Sequence, residues 1–253
     1  HMPADSVQFR PLNVVVFILE SFSKENSGFL NEELDNGTYK GYMPFLDSLM
    51  AEGLTFKYSF SNGMKSIDGM PSVLSGIPMF IEPFFLTPSS LNTVSSIGGE
   101  LGKKGYYTAF FHGADNGSMG FEAFARTAGY THYFGRTEYN EANPDNKDFD
   151  GHWGIWDEKF FQFFGNTLSG FQQPFAAALF SLSSHHPFAV PAEYEGVFPK
   201  GNKPIRQCIG YTDNALKLFF EKVSKEPWYK NTLFVFTADH TNSPERPEYE
   251  TES

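Results

Sequence analysis

The sequence has few of the residues that several classes of protein need. Cys208 is the one cysteine among 253 residues, which excludes a disulfide within this chain and any multi-cysteine zinc or iron–sulfur site. Lys and Arg number 19 against 30 Asp and Glu, and the formal charge of −11 disfavours binding to phosphate backbones. We therefore expect no nucleic-acid partner. No apolar run reaches the roughly 18 residues that a membrane-spanning helix requires.

Aromatic and other apolar residues, in contrast, are abundant. Aromatic residues make up 17% of the chain, with 29 Phe, which predicts a ring-rich interior or an apolar groove. The length suits one large α/β domain, and we interpret residues 3–253 as a single domain. The dipeptide at 1–2 is typical of a cloning remnant. The polar stretch at 244–253 is typical of an exposed loop or a truncation point.

Apolar runs alternate with helical patterns along the chain. The runs predict strands at 13–19, 54–60, 106–111, 175–182 and 232–237. The helical patterns lie at 43–52, 93–104, 121–128, 155–164 and 205–223, with polar loops at 140–151 and 191–203. This alternation predicts a mostly parallel sheet with helices on both faces.

Chemically useful side chains follow each predicted strand. Ligands of open α/β sheets bind beyond the carboxyl ends of the strands, so these side chains are expected near one another. In chain order they are Glu20, Ser66, His112, His185 with His186, and Asp239 with His240. Each alone is more typical of a helix cap or a structural histidine. Together, carboxylates and imidazole suit a divalent cation such as Mn²⁺, Zn²⁺ or Mg²⁺.

Ser66 is the candidate nucleophile. A cation beside it would stabilise its alkoxide, and a helix beginning at Ser66 would favour an anionic group under attack. Lys65 adds a positive charge next to it. His185 or His186 is a candidate to protonate the leaving oxygen or to hold the anion, and His112 is a candidate for binding phosphate or substrate.

Four segments surround the candidate residues: VVVFILESF at 14–22, NGMKSI at 62–67, SSHHPF at 183–188 and FTADH at 236–240. Together they resemble the lipoteichoic acid synthases and, more broadly, the sulfatase-like branch of the alkaline phosphatase superfamily. The resemblance implies a three-layer α/β/α sandwich and a single divalent metal ion, Mn²⁺ preferred. It assigns Glu20, Ser66, Asp239 and His240 as metal ligands. It also implies that Ser66 is the catalytic nucleophile, that His185 rather than His186 acts at the reacting phosphate, and that His112 contributes to substrate binding. Lys65 and His186 are substrate-binding candidates from their positions beside Ser66 and His185.

Two departures from the family patterns bear on the substrate. Sulfatases modify a Cys or Ser followed by x-Pro-x-Arg, whereas Asp68 and Met70 stand at those two places here. Sulfate ester hydrolysis is therefore disfavoured. Met119 and Phe121 lie near the positions of the Trp and Arg that bind glycerol phosphate in the synthases. The head group of this protein's substrate can therefore differ from the glycerol phosphate of the synthases.

Three functions remain open at this level. The first is a metal-dependent phosphotransferase or phosphodiesterase of the cell envelope, acting through a phosphoserine at Ser66 on a phospholipid or glycan phosphodiester. The others are a sulfatase and a non-catalytic, metal-stabilised domain that binds envelope components. The resemblance implies a membrane tether outside this chain and a location on the extracytoplasmic face of a bacterial membrane. Trp153 and Trp156 either line a substrate groove or pack in the core.

Overall fold

The central sheet of the computed structural model, which describes residues 10–250, consists of parallel strands. The strands are β1 (Asn13–Leu19), β2 (Tyr107–His112), β3 (His132–Phe134), β4 (Phe175–Phe180) and β5 (Thr232–Ala238). Their order across the sheet is β3-β2-β4-β1-β5. Every side chain of β4 is buried, as its continuous apolar sequence requires for a strand with helices on both sides.

Helices cover both faces of the sheet. They are α1 (Pro44–Glu52), α2 (Ser66–Ser75), α3 (Ile97–Gly102), α4 (Phe121–Thr127), α5 (Arg136–Ala142), α6 (Asp157–Ser169), α7 (Ile205–Val223) and α8 (Pro247–Glu250). Short 3-10 helices lie at Lys24–Asn26, Phe29–Asn31, Leu34–Gly37, Phe84–Leu86, Pro88–Leu91, Ser118–Gly120, Ala192–Tyr194 and Tyr229–Asn231. Helices α1, α5, α6 and α7 contribute to the core on one face, and α2 and α4 to the core on the other. This arrangement confirms the predicted three-layer α/β/α sandwich.

Phenylalanine rings fill much of the interior. Phe17 of β1 is fully buried and lies 5.9 Å from Phe161, 5.3 Å from Phe219 and 5.2 Å from Phe236, measured between ring centroids. Edge-to-face and stacked contacts of this kind add to the stabilisation from burial alone. The aromatic excess of the sequence thus serves the core.

Most predicted elements are confirmed within a few residues, and α7 has the predicted bounds. The predicted strand at 54–60 is wrong: the segment has no regular structure, and Leu54 and Phe60 are each 87% exposed. A strand needs a pairing partner, and none faces this segment among residues 10–250. Strand β3 was not predicted, because three residues are too few to display an alternation.

The described residues contain no helix that is both long enough and apolar enough to cross a lipid bilayer.

Candidate functional site

Two carboxylates and an imidazole meet where adjacent strands β1 and β5 end. Leu19 and Ala238 are paired in the sheet, so the residues that follow them, Glu20 and Asp239, emerge side by side. His240 Nε2 lies 3.4 Å from Glu20 Oε1 and 3.2 Å from Asp239 Oδ2. One ligand atom from each of the three residues lies within 4.8 Å of the others. The sequence-predicted group is therefore assembled in space.

Ser66 joins this group from the first turn of α2. Its Oγ donates a 2.7 Å hydrogen bond to Glu20 Oε2, and the side chain is buried. The first turn of α2 approaches the end of β5 closely at Gly69, where an added Cβ would lie 2.5 Å from Asp239 Cβ and 2.9 Å from Asp239 Cα. Glycine at this position therefore lets the helix present Ser66 beside the carboxylates.

The backbone at Glu20 is held by hydroxyl groups that sequence reasoning did not single out. Ser181 Oγ accepts a 2.8 Å hydrogen bond from the Glu20 amide, and Ser184 Oγ donates one of 2.6 Å to the Glu20 carbonyl. Ser21 has a positive φ of 57°, and its amide donates to Asp239 Oδ1 at 2.8 Å. A non-glycine residue in this conformation is strained and persists because its surroundings hold it. These contacts fix the direction of the Glu20 side chain.

Asp157, at the start of α6, organises the loop after β4. Its carboxylate accepts hydrogen bonds from the amides of Leu182 and Ser183, at 2.8 and 3.0 Å, and from Thr212 Oγ1 at 2.8 Å. Burial raises the pKa of Asp157 to about 6. The available sequence signal was a carboxylate preceding an apolar helix, which is common and points to no particular contact.

The pKa values of the three residues in the acidic cluster are shifted in different directions. Burial alone would raise the pKa of Glu20, but hydrogen bonds with His240 and Ser66 outweigh it and lower that pKa to about 2. Burial and the neighbouring Glu20 charge raise the pKa of Asp239 to about 8. Burial opposes protonation of His240, yet its contacts with Glu20 and Asp239 raise its pKa to about 9. Two carboxylates buried this close together repel each other, and a positive charge between them relieves the repulsion.

The residues fit a divalent cation. Asp239 Oδ2 is buried and has no hydrogen-bond partner among the described residues, although His240 Nε2 lies nearby. A buried carboxylate oxygen left without a hydrogen bond is costly unless a cation binds it. The donor set of two carboxylates and one imidazole suits Mn²⁺, Zn²⁺ or Mg²⁺.

A cavity of about 440 Å³ opens beside the cluster. Besides Glu20, Ser66 and His240, its walls include Lys65, His185 and His186, three of the predicted functional residues. The remaining lining residues are mainly apolar or small: Ser21, Met64, Ile67, Met119, Phe188 and Asn242. The volume is in the range of small-molecule sites.

His112 is buried and does not line this cavity. Its ring is buried between Phe121 and Phe180, with centroids 4.9 and 5.8 Å away, and it is absent from the cavity lining. Burial lowers the pKa of His112 to about 4, so the ring is neutral at pH 7. Its Nδ1 is buried and has no hydrogen-bond partner among the described residues. Of the predicted functional residues, His112 alone does not line the cavity or belong to the acidic cluster.

The chain resembles known proteins over nearly all of its length. A family model described as Sulfatase matches residues 12–252. Phosphoglycerol transferase I of Salmonella agona is 26% identical over 260 residues, covering 94% of this chain and 32% of the relative. The chain therefore spans about a third of the length of the curated relatives it matches.

Solved structures share the fold. A protein of the alkaline phosphatase superfamily from Vibrio parahaemolyticus superposes with a TM-score of 0.80 at 26% identity, covering 93% of this chain and 56% of that one. The lipoteichoic acid synthase LtaP from Listeria monocytogenes superposes with a TM-score of 0.77 at 22% identity, covering 96% and 60%. At 22% identity, the likeness to LtaP supports a shared fold and nothing further.

Proposed function

Because this chain belongs to the sulfatase family, we propose that it is the catalytic part of a metal-dependent phosphotransferase that acts through a phosphoserine at Ser66. One observation carries the proposal. The Ser66 hydroxyl lies 2.7 Å from Glu20 Oε2, at the start of a helix and beside the Asp239–His240 pair, on the wall of a cavity. A hydroxyl in this setting is suited to attack an anionic phosphoryl group.

The cation would be held by Glu20, Asp239 and His240, with Ser66 as the fourth ligand. When bound, it would stabilise negative charge on the Ser66 oxygen and on the phosphoryl oxygens. We propose Mn²⁺, which this mixture of carboxylate and imidazole donors suits. The unpartnered Asp239 Oδ2 supports a cation at this place.

His185 and solvent account for the proton transfers. Glu20 stays ionised throughout, because its pKa is lowered to about 2. Ser66 Oγ, its proton lost to solvent, forms a bond to phosphorus as the bond from phosphorus to the donor oxygen breaks. His185, on the cavity wall, gives a proton to that leaving oxygen. An acceptor hydroxyl then attacks the phosphoserine and gives its proton to His185, while Ser66 Oγ leaves phosphorus and recovers a proton from solvent.

Cavity residues also bear on the substrate. Lys65 and His186 line the cavity and are proposed to bind the phosphodiester anion. His112, which was predicted to bind substrate, is buried outside the cavity lining and is given no contact with the substrate. The phosphoglycerol transferase relative favours a phosphoglycerol donor from a phospholipid or glycan. Met119 lines the cavity and offers no hydrogen bond to glycerol hydroxyls, so the head group is held by other residues or is a different one. We propose an extracytoplasmic location beside a bacterial membrane.

The test is turnover of a chromogenic phosphodiester with Mn²⁺, combined with intact-mass measurement of the trapped intermediate. Ser66→Ala is expected to abolish turnover and the added mass of the phosphoryl group with its remaining ester substituent. Ser72→Ala is the matched control, because Ser72 lies on the same helix and its Oγ accepts a bond from Asn62. Equal rates for wild type and Ser66→Ala would refute the proposal.

Two other outcomes identify the competing functions. A formylglycine mass at Ser66 would indicate a sulfatase, against which Asp68 and Met70 argue by replacing the Pro and Arg of the modification motif. Stoichiometric binding of envelope glycans or lipids without turnover would indicate a binding domain.

A further inference from the structure

Trp153 stands at the edge of the candidate site. Its side chain is 37% exposed, so it is no part of the core. The centroid of its ring lies 4.3 Å from that of His185, with the planes inclined by 62°. Trp156, three residues later, instead packs edge-on against Tyr211 at 6.0 Å. The two tryptophans of this loop therefore have different surroundings.

One carbonyl group connects Trp153 to His185. The His186 carbonyl oxygen lies 2.6 Å from Trp153 Nε1 and 3.0 Å from His185 Nδ1. A carbonyl oxygen only accepts hydrogen bonds, so the neutral His185 ring carries its proton on Nδ1. Its Nε2 then has a free lone pair for a proton in transit. The indole N–H and the imidazole N–H together occupy both lone pairs of this carbonyl oxygen.

The loop that carries Trp153 is itself firmly held. Asp150 Oδ1 accepts hydrogen bonds from the amides of His152, Trp153 and Gly154, at 2.7, 2.8 and 3.0 Å. Gly154 packs on the backbone of Gly113, where an added Cβ would lie 2.2 Å from the Gly113 carbonyl oxygen. The indole therefore projects from a loop fastened to the end of β2. It is a fixed support for the His186 carbonyl.

We propose that Trp153 is a positioning residue that holds the His186 carbonyl and, through it, the ring and the Nδ1–H tautomer of His185. Its contribution to catalysis rests on the proposed function, in which His185 exchanges protons through Nε2. The effect on the His185 tautomer does not depend on that function. The effect of Trp153 on the His185 tautomer and its contribution to catalysis can therefore be refuted independently.

The first test measures the tautomer by long-range ¹H–¹⁵N correlation NMR on protein with ¹⁵N-labelled histidine. The His185 signals are assigned by their loss in His185→Gln. In wild type we expect the Nδ1–H form, and in Trp153→Phe, which keeps a ring but lacks the N–H, a mixture with the Nε2–H form. Trp156→Phe is the matched control and should leave the signals unchanged. An Nε2–H ring in wild type, or an unchanged tautomer in Trp153→Phe, would overturn the proposal.

The second test measures phosphodiester turnover by the same variants. Loss of one hydrogen bond predicts a kcat about tenfold lower for Trp153→Phe, with little change in KM. Trp156→Phe should retain the wild-type kcat. A shifted tautomer with unchanged kcat would overturn the catalytic contribution of Trp153. If wild type itself has no turnover, the proposed function fails while the NMR result still decides the positioning role.

Discussion

Gly69→Ala should separate the catalytic arrangement from the stability of the fold. The added methyl would lie 2.5 Å from Asp239 Cβ and 2.9 Å from Asp239 Cα. Since carbon atoms pack at about 3.5–4.0 Å, the first turn of α2 must move by roughly 1 Å from the end of β5. Ser66 moves with it, because it lies in the same turn. The strain costs about 1–3 kcal/mol, of which alanine's higher helix propensity returns roughly 1 kcal/mol.

Activity should therefore fall far more than stability. A misplacement of about 1 Å reduces turnover roughly 100-fold, whereas a net cost of up to ~2 kcal/mol lowers Tm by only ~4–8 °C in a chain of this size. The assays are Mn²⁺-dependent phosphodiester turnover and thermal unfolding. Gly102→Ala is the matched control, because its Cβ would meet nothing closer than Thr108 Cγ2 at 3.6 Å. Wild-type turnover in Gly69→Ala would refute the reasoning that this contact positions Ser66.

Three further predictions concern the cluster and the buried charges. Glu20→Gln should weaken Mn²⁺ binding more than about 100-fold by isothermal calorimetry, and an unchanged affinity would exclude Glu20 as a ligand. The pKa of Asp157, raised to about 6 from 3.8, means that the folded state binds its proton more tightly than the unfolded chain. Its contribution to the free energy of unfolding should fall by ~2 kcal/mol between pH 4 and 7 without metal, and a ¹³C titration midpoint near 4 would contradict this. Arg206→Met leaves the buried Glu25 carboxylate, now 2.6 Å from the guanidinium, without that partner and should cost ~3–5 kcal/mol in urea unfolding. Arg246→Met, a partly exposed control whose partner Asp35 is exposed, should cost less than Arg206→Met.

The sequence predicted which candidate residues would lie together better than it predicted the contacts that support them. Glu20 and Asp239 were found because each follows an apolar strand, and parallel strands place their carboxyl ends at one edge. Ser181 and Ser184 were missed for different reasons: the predicted strand at 175–182 included Ser181, and a serine after a strand, such as Ser184, is an ordinary loop residue until its partner is known. The Ser-Leu-Ser-Ser run at 181–184 does not reveal which backbone group it contacts.

The predicted strand at 54–60 illustrates the opposite error. Aromatic residues at alternate positions, Phe56, Tyr58 and Phe60, have the spacing of a half-buried strand, yet all three are exposed. Periodicity reports which side chains share a face, whereas a strand also requires a neighbouring backbone with which to form hydrogen bonds. That neighbour is a tertiary property, and residues 10–250 do not supply it here.

The order of apolar runs and the residue type at the end of each run were enough to determine the layered architecture and the chemistry available at one edge of the sheet. The tertiary structure alone decided the distances: Ser66 within 2.7 Å of Glu20, and His185 bonded through its Nδ1 to a carbonyl shared with Trp153. The reason is that periodic burial depends on neighbours along the chain. Hydrogen bonds between residues more than 30 positions apart, such as Ser66 with Glu20 and Trp153 with His186, depend instead on where packing brings two backbones together.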